Sequence, residues 1–197
     1  MSRLVFIDIE TTGLIAGYHE IIEIAIIGDN FEYHKKVKPK RLEIADSKAL
    51  SINGYTSKEW RYAEEPSLVA YEIANILSGA TIVGHNPNFD MEFINELLHH
   101  YDETSSFDRR YIDTITLAYE HLSPLGLTSY SLDSCRRFFG WSTFGAHTAI
   151  KDAKDCRKLF YTLIRANRLQ RWSWLLRPTI AKLLALSKLK SLSKIHR

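Results

Sequence analysis

Cysteine is scarce and long apolar runs are missing from this chain of 197 residues. Its two cysteines, Cys135 and Cys156, have no metal-ligand spacing and give no sign of a disulfide framework. No apolar stretch reaches the length that a membrane-spanning helix needs. The first residues run directly into Arg3 and an acid-tipped strand rather than a secretory signal. We therefore expect a globular cytoplasmic protein with one well-cored domain and at most a small appendage.

Acidic residues are missing from the C-terminal fifth of the chain. The first 155 residues contain 15 basic and 23 acidic side chains, a net charge of −8, whereas residues 156–197 contain 11 basic side chains and no acidic ones. A basic segment beside an acidic body favours contact with a polyanion. Nucleic acid is the commonest partner of this kind, and an anionic membrane surface is the next.

The most informative stretch is RLVFIDIETTGL, residues 3–14. Its large, mostly β-favouring residues predict a buried strand. Side chains alternate along a strand, so Asp8 and Glu10 share one face with Leu4 and Phe6. Two carboxylates held close together repel unless a cation lies between them, and a divalent metal with oxygen ligands is the natural candidate. For this stretch alone, a strand whose end simply reaches solvent is an equally good explanation.

The rest of the chain alternates between strand and helix patterns. Residues 20–28 and 31–38 predict two further strands, and residues 80–84 and 111–113 predict a fourth and a fifth. Helices are predicted over residues 46–51, 66–77, 131–140 and 148–167, with one more ending near His121 and another that Asn88 can cap. This order favours an α/β domain with a mixed sheet.

Three more residues have the chemistry to complete a site with the acidic pair. Asp90 falls in the first turn of the helix after the HNPN loop, where the helix dipole favours an ionised carboxylate. Asp152 falls in the first turns of the last helix, and His147 precedes it. At ~100° per residue, five positions would place His147 and Asp152 about 140° apart on one helix, so they converge only if His147 belongs to the loop. Taken singly, each residue is explained better by a role in its helix or at the surface.

Together, four acids and one histidine are the parts of a two-metal phosphoryl-transfer site. Such a site needs about four oxygen ligands around two ions roughly 3.5–4 Å apart. It also needs a base that ionises the attacking water, and histidine has an unperturbed pKa near neutrality.

The segments FIDIETTGL, HNPNFDMEF and HTAIKDA resemble the three motifs of the DEDDh, or DnaQ-like, 3′→5′ exonuclease superfamily. This group includes the proofreading epsilon subunit of bacterial DNA polymerase III and many small phage and bacterial exonucleases. Between them, SKALSINGYT, YIDTITLA and YSLDSCRRFFG resemble further blocks of the family, so the similarity covers residues 3 to about 165. It implies a ribonuclease H-like α/β fold: a mixed five-stranded sheet flanked by helices, here with a basic helical C-terminal extension.

The resemblance also implies a role for each motif residue. Four carboxylates would hold two Mg²⁺ ions, with Mn²⁺ able to substitute, and a histidine would take a proton from the attacking water: Asp8, Glu10, Asp90 and Asp152, and His147. Residues of the first two motifs would meet the terminal nucleotide and line the strand path: Thr11, Thr12, Gly13, Leu14, His85, Asn86 and Phe89. The third motif departs mildly from its commonest form, with Thr148 and Lys151 where arginine and an acid are frequent.

The resemblance predicts a 3′→5′ exonuclease that releases nucleoside 5′-monophosphates from DNA at single-stranded or frayed 3′ ends, in proofreading or repair. A 3′→5′ exoribonuclease of the same fold is the first alternative, because the same chemistry serves both nucleic acids. A non-catalytic nucleic-acid-binding module is the second, but all five residues of the predicted site are present.

We assign residues 1–168 to the exonuclease domain and residues 169–197 to a basic helical extension. The pattern extends the last domain helix over residues 165–171. A cluster of apolar residues around Trp172 and Trp174 follows, and a basic amphipathic helix is predicted over residues 179–195. This extension could bind nucleic acid, dock on a polymerase or other partner, or contact a membrane surface. A helix that merely packs on the domain explains it about as well as the first two together.

Overall fold

The fold is a mixed five-stranded sheet in the computed structural model, of which we describe residues 3–167 and 169–174. The strands are β1 (Arg3–Thr11), β2 (Ile21–Ile27), β3 (Glu32–Lys36), β4 (Ala80–Gly84) and β5 (Asp108–Asp113). They lie in the order β3-β2-β1-β4-β5. The first three strands pair antiparallel, whereas β4 pairs parallel to both β1 and β5. The predicted mixed five-stranded sheet is therefore confirmed.

Six α-helices accompany the sheet between residues 47 and 164: α1 (Ser47–Ile52), α2 (Pro66–Leu77), α3 (Pro87–His100), α4 (Thr114–Leu122), α5 (Leu132–Phe139) and α6 (Ala149–Ile164). Local signals explain several boundaries. The Asp46 carboxylate accepts the amides of the first turn of α1, and Pro66 occupies the first turn of α2. The Ser131 hydroxyl caps α5, which ends at Gly140 in the left-handed conformation (φ 68°).

The two faces of β1 bury different partners, as the alternation in the sequence predicts. Val5, Ile7 and Ile9 belong to a core that includes buried residues of α2 and α3. Phe6 lies on the opposite face, in a core formed with buried residues of α6, and its ring meets that of Phe160 with centroids 5.5 Å apart. The face that carries Asp8 and Glu10 therefore looks towards α6.

Two predicted helix boundaries are wrong. Helix α3 begins at Pro87 after Asn86 in a left-handed conformation (φ 73°), so Asn88 lies inside the helix rather than at its cap. Helix α6 ends at Ile164 and does not continue over residues 165–171. The chain turns instead at residues 165–167, where reciprocal bonds join the backbone amides and side-chain oxygens of Asn167 and Gln170.

A separate helical segment occupies residues 169–174. Trp174 is buried against Phe139, with ring centroids 5.2 Å apart, whereas Trp172 is exposed. The helix predicted for residues 179–195 lies outside the described part of the chain. Within that part, no helix has the length and apolar character needed to cross a membrane.

Candidate active site

The acidic pair lies on the central strand of the sheet. Asp8 pairs in register with Ala25 and Glu10 with Glu23 of β2, and the register shifts immediately after Glu10. Such an irregularity ends regular pairing and can re-aim the side chains beside it. Both acids are partly buried, so they are neither core residues nor freely solvated.

The start of α6 brings two further residues to this face of β1. Thr148 is the N-cap of α6 and Asp152 lies in its first turn. His147 belongs to the preceding loop, in which both His147 (φ 64°) and Gly145 (φ 78°) have a left-handed backbone conformation. The His147 amide donates a hydrogen bond to Oδ1 of Asp152, over 3.3 Å. The sequence predicted that His147 and Asp152 could converge only if His147 lay in the loop. The structure places His147 in that loop, with its backbone amide bonded to Asp152.

Three of the predicted carboxylates form a compact cluster. One oxygen from each of Asp8, Glu10 and Asp152 lies within 4.8 Å of the other two. Asp90 is outside this group but close to it. Its buried carboxylate accepts the backbone amide of Ile9 through Oδ1 over 3.1 Å, between the two acids of β1. All four acids thus meet at one end of the sheet.

The electrostatics of the cluster are those of a site that needs a cation. Burial, followed by the charges of Asp90, Asp152 and Glu10, raises the pKa of Asp8 well above its usual value. Burial and the neighbouring acids raise the pKa of Glu10 to about 8, and burial raises that of Asp90 to about 8. A bound divalent cation would relieve this repulsion, and carboxylate oxygens are the ligands that Mg²⁺ and Mn²⁺ prefer. The donor set therefore fits such an ion.

Arg136 on α5 is a site residue that sequence reasoning missed. Its side chain is 1% exposed and makes three hydrogen bonds of 2.7 Å: Nη2 to Asp152, Nη1 to Asp133 and Nε to Asp155. Arg136 lies four residues after buried Leu132, on the inward stripe of the helix. An arginine on such a stripe signals buried acidic partners, although its position alone does not identify them.

Glu23 is a second residue that was missed. It is 2% exposed, and its Oε1 accepts the amide of Ala149 over 3.1 Å and lies 2.8 Å from Nε2 of His34. The first of these bonds ties the beginning of α6 to β2. A glutamate within a run of apolar strand residues is the signal that could have indicated a buried partner.

The first motif continues as a turn held by its own side chains. The Thr11 hydroxyl donates to the carbonyl of Gly13 over 2.6 Å, and Thr12 accepts the Glu20 amide over 2.9 Å. A Cβ on Gly13 would lie 2.3 Å from the ring of His19, so the turn has no room for a side chain there. Leu14 is 78% exposed beyond it, where it is free to touch a ligand.

The remaining predicted residues lie at the junction of β4 and α3. Nδ1 of His85 is 2.9 Å from the hydroxyl of Thr114, and burial lowers the pKa of His85. The amide of Asn86 donates to Asp113 over 3.1 Å, while its side chain is exposed. The half-buried ring of Phe89 packs at a tilt against Phe93, with centroids 5.0 Å apart. This junction leads directly into Asp90.

Comparison with known proteins places this fold and these motifs in a family. Residues 5–160 match the family model RNase_T, described as exonuclease. The chain is 35% identical over 168 residues to the PolC-type DNA polymerase III of Thermotoga maritima, covering 83% of this chain but 12% of that protein. It is 30% identical over 166 residues to the DNA polymerase III epsilon subunit of Treponema pallidum, covering 80% of this chain and 74% of that one.

Solved structures share the fold at low sequence identity. An exonuclease I structure superposes with a TM-score of 0.74 at 20% identity, covering 88% of this chain and 43% of the other. The zinc-bound E. coli exonuclease I complex with single-stranded DNA gives 0.72 at 21% identity, covering 94% and 45%. The family match and the epsilon-subunit relative are the stronger findings, and by them the chain belongs to the exonuclease family of the DEDDh superfamily.

Proposed function

We propose that the chain is a two-metal-dependent 3′→5′ exonuclease that hydrolyses DNA at single-stranded or frayed 3′ ends to nucleoside 5′-monophosphates. The observation that carries the proposal is the convergence of Asp8, Glu10 and Asp152 within 4.8 Å next to the loop that bears His147. These three acids, together with Asp90, would hold two Mg²⁺ or Mn²⁺ ions. Such ions supply Lewis-acid stabilisation of charge on the phosphate and a lowered pKa for water.

The residues of the chain then have separate tasks in the reaction. The imidazole of His147 takes a proton from the attacking water, and its half-exposed side chain is accessible to water. The turn at Thr11–Gly13 meets the terminal 3′-hydroxyl, and Leu14 wedges against the last base. The ring of Phe89 offers a stacking surface along the strand path.

DNA is the favoured substrate because the curated relatives described above are DNA polymerase III proteins and the structural neighbour was solved with single-stranded DNA. The proposal extends to a partner: an exonuclease domain of this kind would act beside a polymerase, in proofreading or repair. The chain spans only 12% of the PolC-type relative from Thermotoga maritima. Association with a polymerase is therefore part of this proposal.

Two cation–aromatic contacts in and beside α6 support contact with nucleic acid. Arg165 lies over the ring of Tyr161 at 4.1 Å from its centroid, and Lys158 lies over Trp141 at 4.3 Å. Surfaces that bind single strands combine positive charge along the backbone with aromatic side chains. The sequence from residue 156 onwards contains 11 basic side chains and no acidic ones.

The test is digestion of single-stranded, 3′-recessed and 5′-end-blocked DNA with Mg²⁺, beside RNA of the same sequence. We expect stepwise shortening from the 3′ end, abolished by chelation and by Asp8→Asn. Removal of the general base in His147→Ala should slow the reaction about 10²–10⁴-fold. Asp102→Asn is the matched control, because it removes an exposed carboxylate in a left-handed position that asparagine tolerates.

Two outcomes would overturn the proposal. A preference for RNA would make the protein an exoribonuclease. Binding of single strands without cleavage of DNA or RNA, with either Mg²⁺ or Mn²⁺, would make it a non-catalytic binding module.

A further inference from the structure

We propose that Arg136 is a positioning residue of the nuclease site. It orients the carboxylate of Asp152 directly and limits the direction of the His147 imidazole through Asp133. The proposal rests on the proposed function, since it assigns a role in that same site to a residue outside the three motifs.

The first part of the argument is the geometry of the guanidinium. Arg136 is buried on α5, and its Nη2, Nη1 and Nε each donate a bond of 2.7 Å to a different carboxylate. A guanidinium is planar and presents its donors in a rigid fork. The positions of the three acceptors are therefore fixed relative to one another as well as to α5.

Asp152 is the acceptor that belongs to the metal cluster. Its Oδ1 receives Nη2 of Arg136 over 2.7 Å and the amide of His147 over 3.3 Å. Since both bonds end on Oδ1, Oδ2 is the oxygen that we assign to the cation. Without the two donors the carboxylate could rotate about its terminal bond, and a metal ligand that can rotate binds more weakly than one that is already oriented.

Asp133 extends the same network to the proposed base. One of its oxygens, Oδ1, accepts Nη1 of Arg136 over 2.7 Å, and the other, Oδ2, lies 3.7 Å from Nε2 of His147. The His147 side chain is 50% exposed, so packing alone does not determine the direction of its ring. A fixed carboxylate beside one ring nitrogen limits that direction.

The third arm of Arg136 provides an internal control. Asp155 accepts Nε of Arg136 and also bonds to Lys151, but it contacts neither Asp152 nor His147 by any hydrogen bond among the described residues. Loss of this arm should weaken the packing of α5 on α6 without reorienting the site. If Arg136 only stabilised the fold, loss of any one of its three carboxylate bonds should change the metal affinity to the same extent.

The experiment compares four variants: Arg136→Lys, Asp133→Asn, Asp155→Asn and Arg137→Lys. Lysine keeps the charge but replaces the fork by a point charge, whereas alanine would remove the cation shared by buried Asp155 and partly buried Asp133 and Asp152 and is expected to unfold the protein. Arg137 is the matched control, because the neighbouring guanidinium bonds only to the Ser134 hydroxyl over 3.2 Å among the contacts described. Mn²⁺ affinity is measured calorimetrically without DNA, together with the thermal midpoint, kcat and KM.

We expect the four variants to differ in Mn²⁺ affinity, kcat and thermal midpoint. Arg136→Lys should bind Mn²⁺ about 10-fold more weakly, within the range found for partners that orient metal ligands. Asp133→Asn should lower kcat about 10-fold and leave the Mn²⁺ affinity unchanged. Asp155→Asn should lower the thermal midpoint and leave Mn²⁺ affinity unchanged, and Arg137→Lys should leave both unchanged.

Two results would overturn the inference: wild-type Mn²⁺ affinity in Arg136→Lys, or an equal loss of affinity in Asp155→Asn. Because affinity is measured without substrate, these results are independent of whether the wild-type protein degrades nucleic acid. A wild-type protein that binds Mn²⁺ but cleaves neither DNA nor RNA would instead overturn the proposed function.

Discussion

Glu10 should destabilise the metal-free protein at neutral and alkaline pH. Burial, then Asp152 and Glu23, raise its pKa from 4.5 to about 8, so the folded protein holds a proton on this residue that the unfolded chain has released. A carboxyl whose pKa is raised on folding lowers stability as the pH rises through the interval between the two pKa values. Here that interval runs from 4.5 to about 8. Below it, Glu10 is protonated in both the folded and the unfolded protein.

The size of the effect follows from the same numbers. A tenfold change in an ionisation constant corresponds to about 1.4 kcal/mol, so the displacement corresponds to at most about 5 kcal/mol above pH 8. Glu10 is partly exposed, so solvent screens the repulsion, and its ionisation is linked to that of neighbouring acids. Both effects make the free-energy change at Glu10 smaller than this upper limit. We therefore expect Glu10→Gln to stabilise the metal-free protein by about 1–2 kcal/mol at pH 8 and by almost nothing at pH 4.5.

The assay is urea denaturation in EDTA at pH 4.5 and at pH 8, repeated at pH 8 with Mg²⁺. With Mg²⁺ the wild-type protein should become more stable than Glu10→Gln. Metal binding stabilises the folded wild-type protein, and it stabilises the variant less because one ligand is lost. Glu92→Gln, an exposed glutamate on α3, is the matched control and should change neither value. A Glu10→Gln protein that is less stable than wild type in EDTA at pH 8 would refute the reasoning.

Three other substitutions test the packing around the site. Glu23→Ala should cost about 1–3 kcal/mol in urea denaturation, because it leaves the amide at the start of α6 without its buried acceptor, and it should also lower nuclease activity. Gly13→Ala should lower activity, because the new methyl would lie 2.3 Å from the His19 ring, and His19→Ala in the same chain should restore part of it. Trp174→Ala should cost about 3–5 kcal/mol of stability, whereas Trp172→Ala, at a side chain that is 67% exposed, should cost almost none.

Each of these has its own control and opposing result. Glu32→Ala removes an exposed glutamate that pairs with Lys154, and a loss of stability equal to that of Glu23→Ala would contradict the role of the buried bond. Full activity in Gly13→Ala would show that the turn can adjust. Equal stability losses in the two tryptophan variants would contradict the packing of Trp174.

Local patterns along the chain predicted most of the elements. The alternation in β1 separates Asp8 and Glu10 from Val5, Ile7 and Ile9, and the structure buries the second set against α2 and α3. A proline in the first turn or a capping hydroxyl marks where a helix starts, since these groups act within a few residues. The end of α6 was mispredicted because residues 165–167 carry no glycine or proline, and the turn there rests on the reciprocal bonds of Asn167 and Gln170.

The sequence by itself determined the five motif residues, because their types, order and spacing carry the family resemblance without reference to contacts. The tertiary structure alone decided which distant groups meet them. Glu23 reaches an amide 126 positions away, and Arg136 joins acids that lie on two helices. Spacing along a chain does not encode such contacts, because they depend on how α5 and α6 pack against each other and against the sheet. A buried charge in a sequence shows that a partner is needed, but only the packed fold shows which one it has.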